Sequence, residues 1–185
     1  MINKRLFFKS FLKNPGRTGS VIQSSPFLVR KMTEPVDWKK AKIIVELGAG
    51  TGVITEKILE KMSRDATLLC FEIDERLFGK LEKKFQDPRV KLIKDGAENL
   101  GKYLEKYKLG ETDCVISGLP LVSLPKDTSR QIMNAVQEHL KRGGKYVQFQ
   151  YSLTSRKKFK ALFSEMKLCF TLLNIPPAFV YVCIK

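Results

Sequence analysis

The chain has little that would hold a metal or a cross-linked framework. Its 185 residues include one histidine, His139, and four cysteines: Cys70, Cys114, Cys169 and Cys183. The cysteines are widely spaced and form no CxxC pair, which argues against a zinc site or disulfides and for reduced thiols in buried strands. No run of about 18 apolar residues occurs, so no spanning helix is expected. The first residues lack the apolar stretch and small-residue cleavage site of a signal peptide. Acid is absent from one end and scarce at the other. Residues 1–31 carry seven Lys/Arg and no Asp/Glu, and residues 152–185 carry six Lys/Arg against Glu165. The middle is nearly balanced, so the net charge of +15 (34 − 19) sits mainly at the termini. Such ends point to a polyanionic partner, either nucleic acid or an anionic lipid surface.

What is present reads as one folded domain. Hydrophobic residues make up 43% of the chain and charged residues 29%, a globular composition with room for one sizeable core. Short apolar runs alternate with helix-like stretches. Strands are expected at 42–47, 67–73, 90–93, 113–117 and 145–151, and two further β-rich runs at 168–175 and 178–184 flank Pro176-Pro177 as a hairpin. Helices are expected at 53–62, 75–85, 129–140 (closed by Gly143-Gly144) and 155–166. Strand–helix alternation implies a mostly parallel sheet with helices on both faces. In such a sheet the ligand sits beyond the carboxyl ends of the strands.

Those ends carry the chemistry. The first strand runs into Glu46-Leu47-Gly48-Ala49-Gly50-Thr51-Gly52. The glycines permit a tight turn and close backbone approach to a ligand. Their spacing is GxGxG, not the GxGxxG of a dinucleotide fingerprint, and no GK[ST] follows, which excludes a phosphate-cradling P-loop. The second strand ends at Glu72, at about the separation expected of a ribose-binding acid. The third ends in Asp95-Gly96, and the fourth in Ser117-Gly118-Leu119-Pro120. Three carboxylates at successive strand ends of a strongly cationic chain call for a ligand with hydroxyl and amine donors and positive charge. S-adenosylmethionine has a ribose, an ammonium, an exocyclic amine and a sulfonium.

The series VELGAGTG, FEID, KDG and SGLP resembles the motifs of class I S-adenosylmethionine-dependent methyltransferases over nearly the whole chain. The resemblance implies an α/β, Rossmann-like fold with a seven-stranded, mostly parallel sheet and a C-terminal antiparallel hairpin. It implies that Glu46 and the loop glycines Gly48, Gly50 and Gly52 hold the methionine end of the cofactor. Glu72 would bind both ribose hydroxyls. Asp95, with the backbone at Gly96 and Ala97, would hold the adenine, and Ser117 and Gly118 would lie near the transferred methyl. Gln23 and Ile73 join the cofactor-binding set, and Tyr151, at the end of the fifth strand, joins Ser117 as a catalytic candidate that could hold a methylated amine by cation–π attraction.

Two subfamilies share this start. Ribosomal RNA adenine dimethyltransferases have a similar glycine loop, but their fourth strand ends in N-[LI]-P-[YF], where this chain has Ser117-Gly118-Leu119-Pro120-Leu121. Bacterial phospholipid N-methyltransferases of the peripheral type are similar at residues 11–25, 117–125, 147–151 and 174–178. That likeness implies methylation of a phospholipid amine such as phosphatidylethanolamine, at the inner face of the membrane in the cytoplasm, without a metal. RNA methylation remains the alternative, and a cofactor-binding module without activity a third. Wound as a helix, residues 2–13 gather Phe7, Phe8, Phe11 and Leu12 on one side beside a stripe of Arg5, Lys9 and Lys13, as suits an interfacial helix on anionic lipid. The expected organisation is therefore a basic amphipathic segment at 1–34 and a methyltransferase domain at 35–185.

Overall fold

The computed structural model describes residues 25–171, 174 and 176–185. Gln23 and the segment 2–13 lie outside the described residues. Seven strands form one sheet in the order β3-β2-β1-β4-β5-β7-β6. β1 (Ile43–Leu47), β2 (Thr67–Phe71), β3 (Val90–Ile93), β4 (Thr112–Ser117) and β5 (Leu140–Gln150) are mutually parallel. β6 (Glu165–Thr171) and β7 (Ala178–Ile184) form the antiparallel hairpin, with β7 inserted between β5 and β6. The expected α/β fold class is the one observed.

The sheet divides the core in two because strand side chains alternate between faces. Val45, Leu47, Leu69, Phe71 and Val115 point to one face. There they meet the 3-10 turn Ala97–Asn99 and the helices α4 (Leu100–Lys106), α5 (Lys126–His139) and α6 (Arg156–Leu162). Ile44, Leu68, Cys70 and Ile116 point to the other. That face is covered by α1 (Pro26–Thr33), α2 (Val53–Lys61) and α3 (Glu75–Lys84). Residues 26–33, which the sequence places in a basic N-terminal segment, thus lend Leu28, Val29 and Met32 to the core of the sheet. All four cysteines are free thiols, three buried and Cys169 partly so. No helix among the described residues is long and apolar enough to cross a membrane.

Several boundaries differ from expectation. α5 begins three residues earlier, at Lys126, where Pro125 precedes it. It ends at His139, and Gly143-Gly144 lie inside β5 rather than closing a helix. α6 ends at Leu162, and residues 165–166 already pair with β7. Phe163 and Met166 had continued the helical period, but backbone pairing with an available edge strand outcompetes one more helical turn.

Gly52 shows how tightly the loop is built onto the helices. It caps α2 with φ of +82°, and a Cβ there would lie 2.5 Å from Phe85 Cε2 and 2.9 Å from Leu81 Cδ2. Gly52→Ala should therefore destabilise the fold by about 2–4 kcal/mol, from left-handed strain and overpacking together. Gly79, inside α3 with open space around it, is the control. Gly79→Ala should stabilise by about 0.5–1 kcal/mol through helix propensity. Urea denaturation of the two variants checks both signs.

Candidate active site

The strand order reverses between β1 and β4: from β1 the chain proceeds outward to β2 and β3, then returns to the other side. A crevice opens at such a reversal, beyond the carboxyl ends of the strands. Here two turns close on each other across it. Gly118 N, just after β4, donates to Leu47 O at 2.8 Å, and Gly48 and Ala49 donate backbone N–H bonds to Phe71 O at the end of β2 (2.9 and 3.0 Å). A Cβ on Gly118 would lie 2.9 Å from Gly48 O, so the β4 turn can approach the glycine loop only without a side chain.

A cavity of about 550 Å³, part of it open to solvent, lies beside this junction. Gly48, Glu72, Ile73, Asp95, Gly96 and Ala97 line it, so six of the sequence-derived residues are brought together. Sequence reasoning missed the opposite wall. Leu119, Leu124 and Pro125 from the β4–α5 connection, with Thr128 and Ile132 of α5, form a mostly apolar surface facing the acids. The proline-bounded run LPLVSLP was the available signal.

Glu72 is almost fully buried. Its Oε2 accepts from Gly50 N and its Oε1 from Asp74 N, both at 2.8 Å. Burial raises its pKa, and the bonds from Asp74, Gly50 and Ile73 pull against that rise. The carboxylate thereby holds the glycine loop to the end of β2. A Cβ on Gly50 would meet nothing within 4 Å, so this stretch of loop faces open space. Asp95 is the more heavily engaged acid. Oδ1 accepts from Gly96 N (2.8 Å) and Asn99 Nδ2 (2.9 Å), and Oδ2 from Tyr103 OH (2.9 Å) and Lys102 Nζ (3.3 Å). Burial opposes its ionisation, but these bonds outweigh burial and its pKa is lowered. Asp95 is thus the ionised hinge of the turn that presents Gly96 and Ala97.

Other residues singled out in the sequence do not line the cavity. Glu46 is fully buried on the opposite face of β1, as strand alternation from Val45 and Leu47 requires. Its Oε2 accepts from Thr55 Oγ1 at 2.6 Å, with Cys70 Sγ at 3.6 Å, and its Oε1 has no hydrogen-bond partner among the described residues. Burial, partly offset by the Thr55 and Cys70 bonds, pushes its pKa up to about 7. Ser117 is also fully buried, and its hydroxyl accepts from Leu119 N at 3.3 Å. Tyr151 follows β5 in an exposed turn, its ring 5.6 Å from that of Phe149. His139 ends α5 at the opposite, amino edge of the sheet, where its ring lies over Gly101.

Glu46 makes stability depend on pH. The folded carboxyl keeps its proton to a higher pH than the unfolded one. Stability should therefore fall as pH rises from the usual carboxylate range to about 7 and level off above. Glu46→Gln should flatten that slope, matching wild type near pH 5 and exceeding it near pH 8 by about 2–3 kcal/mol. Urea titrations at the two pH values test this, and an unchanged slope in the variant would exclude Glu46 as its source.

Comparisons with known proteins agree with this architecture. A family model described as a methyltransferase domain matches residues 44–144, from β1 through the start of β5. The ornithine lipid N-methyltransferase of Singulisphaera acidiphila is 29% identical over 180 residues, covering 96% of this chain and 94% of that enzyme. The ribosomal RNA small subunit methyltransferase A of Mesomycoplasma hyopneumoniae is 33% identical over 93 residues, 50% of this chain and 32% of that enzyme. Among solved structures, the O-methyltransferase TomG of Streptomyces achromogenes, in complex with S-adenosylmethionine, superposes with a TM-score of 0.68 at 11% identity, covering 97% and 89% of the two chains. The glycine loop, the carboxylates at the strand ends and the family match over more than half its length converge: the chain belongs to the methyltransferase-domain family and is an S-adenosylmethionine-dependent methyltransferase.

Proposed function

We propose that the chain N-methylates the amine head group of a membrane lipid, such as phosphatidylethanolamine or an ornithine lipid. The observation that carries this reading is the extent of the likeness. Similarity to a lipid N-methyltransferase runs the length of both chains, whereas similarity to the ribosomal RNA enzyme stops after about half of this one. The end of β4 supports it. Ser117-Gly118-Leu119-Pro120-Leu121 offers no side-chain amide to hold an adenine amine and no aromatic to stack on the base. The basic, phenylalanine-bearing sequence at 2–13 and the absence of acid before Glu34 suit an anionic membrane face.

The cavity fits the cofactor. Ile73, Ala97, Leu119 and Ile132 form an apolar slot for the adenine, beside the backbone of Gly96. Glu72 keeps lone pairs for ribose hydroxyls while its backbone bonds fix its direction. The open loop at Gly50 leaves room for the methionine end. Glu46, turned away behind β1, would support the loop from beneath through Thr55 at the start of α2. When bound, the sulfonium supplies an activated methyl. The protein's part is to align an acceptor lone pair and exclude water. The amine must arrive neutral, since an ammonium has no lone pair. The proton leaves to solvent water before the amine attacks, and the methylated ammonium formed by the transfer releases its proton to water in turn. Tyr151, half-exposed beyond β5, would face the methylated amine at the mouth.

Incubation with labelled S-adenosylmethionine and either extracted lipids or ribosomal RNA, both from cells lacking the protein, decides between acceptors. Label should enter an aminolipid, and label in the RNA instead would overturn the reading. Glu72→Ala should weaken cofactor binding by about 10–100-fold, as expected for a charged hydrogen-bond partner. Unchanged affinity by calorimetry would remove Glu72 from the site. Deleting residues 2–13 should reduce sedimentation with anionic vesicles and leave cofactor affinity within about twofold, since interfacial binding combines apolar insertion with lipid charge.

A further inference from the structure

Five large hydrophobic side chains are exposed among the described residues: Phe27, Val122, Tyr151, Leu153 and Phe170, each 42–51% accessible. Scattered exposed apolar residues are ordinary, but a cluster at one place marks an interaction surface. Topology puts all five at one edge. Val122 lies in the β4–α5 connection, and Tyr151 and Leu153 in the β5–α6 connection, both beyond the carboxyl ends of parallel strands. β7 runs antiparallel to β5 with Phe179 opposite Gln150, so the start of β7 and the end of β6 reach the same edge. Phe170 stands there, its ring 4.8 Å from that of Phe179. Phe27 opens α1, whose preceding Ser25 N donates to Asn174 Oδ1 at 3.1 Å, in the β6–β7 connection.

Charge divides the same edge. The half at β2 and β3 carries Glu72, Asp74, Glu75, Asp95 and Glu98. The half beyond β5 carries almost no acid: from His139 to the C-terminus, Glu165 is the one Asp or Glu. α6 begins directly behind the Tyr151/Leu153 turn. Its Arg156, Lys157 and Lys160 are exposed and have no carboxylate partner among the described residues. Apolar side chains projecting from a rim backed by unpaired cations match an interface in which the former enter acyl chains and the latter meet anionic head groups.

We propose that this rim, formed by the β4–α5 and β5–α6 connections, the end of β6 and the start of α1, docks the crevice mouth onto an anionic lipid bilayer. The surface is built from residues other than 2–13. It rests on the lipid reading in one respect: docking here would present the cavity to a head group without the lipid leaving the membrane.

The test uses the full chain with vesicles of phosphatidylglycerol and phosphatidylcholine, and with phosphatidylcholine alone. Val122→Ser, Leu153→Ser and Phe170→Ser together change exposed positions outside the cavity. The triple variant should lose about tenfold or more in affinity for anionic vesicles. It should keep cofactor affinity within twofold, which also shows that it is folded. Arg156→Glu with Lys160→Glu should remove most of the salt dependence of vesicle binding. Vesicle affinity of the triple variant within twofold of wild type would overturn the proposal. So would self-association, or binding to a single-stranded RNA, that falls in the triple variant while vesicle binding stays. Methyl transfer to a water-soluble, short-chain aminolipid separates this proposal from the lipid reading. Transfer retained by the triple variant shows that docking alone was lost. If wild type transfers no methyl to that lipid yet docks through the rim, the acceptor assignment fails and the surface stands.

Discussion

The close approach of two backbones, the glycine loop after β1 and the turn after β4, is the constraint on which the rest of the site depends. Parallel strands leave their carboxyl ends unpaired, and where the strand order reverses the two following turns diverge to opposite faces. Here they are held together at their origin by Gly118 N on Leu47 O, while Gly48 N and Ala49 N on Phe71 O tie the glycine loop to the end of β2. Glu72 adds a bond to Gly50 N. The loop is therefore fixed before any ligand arrives, and the cavity wall from Leu119 to Ile132 is placed by the same junction, because α5 starts at Lys126, close beyond Leu119.

The reverse side of the loop explains a charge that otherwise looks misplaced. Glu46 is on β1, an interior strand of the sheet, wholly buried, with one oxygen bonded to Thr55 and the other without a partner among the described residues. A carboxyl in such a place is costly when ionised and mild when protonated. Thr55 lies in the first turn of α2, directly after Gly52. The Glu46–Thr55 bond thus fastens the helix that follows the loop to the strand that precedes it. Stability is given up here for a fixed loop, as functional sites often require.

The sheet and most helices were legible because their signals were local. Asp74 caps α3 with bonds to Arg76 N and Leu77 N, and β3 and β7 match the expected ranges to the residue. The strand ends were legible too, since glycines and acids cluster there. What stayed hidden was direction. Glu46, Gly48 and Ser117 stand close together in space, yet Glu46 and Ser117 do not line the cavity. Alternation along β1 fixes Glu46 opposite Val45 and Leu47, and could have shown this. Ser117 is different: its hydroxyl is taken up by Leu119 N within its own turn, and no period in the sequence announces that. The apolar cavity wall was hidden for a further reason, namely that Leu124 and Ile132 read equally well as core.

One edge of one sheet therefore has two electrostatic halves, and the division follows from the order of the strands. β1, β2 and β3 contribute the acids that suit a ligand of hydroxyls and positive charge. β4 through β6 contribute apolar turns and the cations of α6. If both halves were acidic, an anionic bilayer would be repelled from the mouth of the cavity. If both were basic, a cationic cofactor would be held against like charge. At physiological salt a Debye length of about 8 Å screens one half from the other across the width of two or three strands. The two surfaces can thus carry opposite charge a short distance apart, with the β1–β4 junction between them as the place where a methyl donor and a lipid amine would meet.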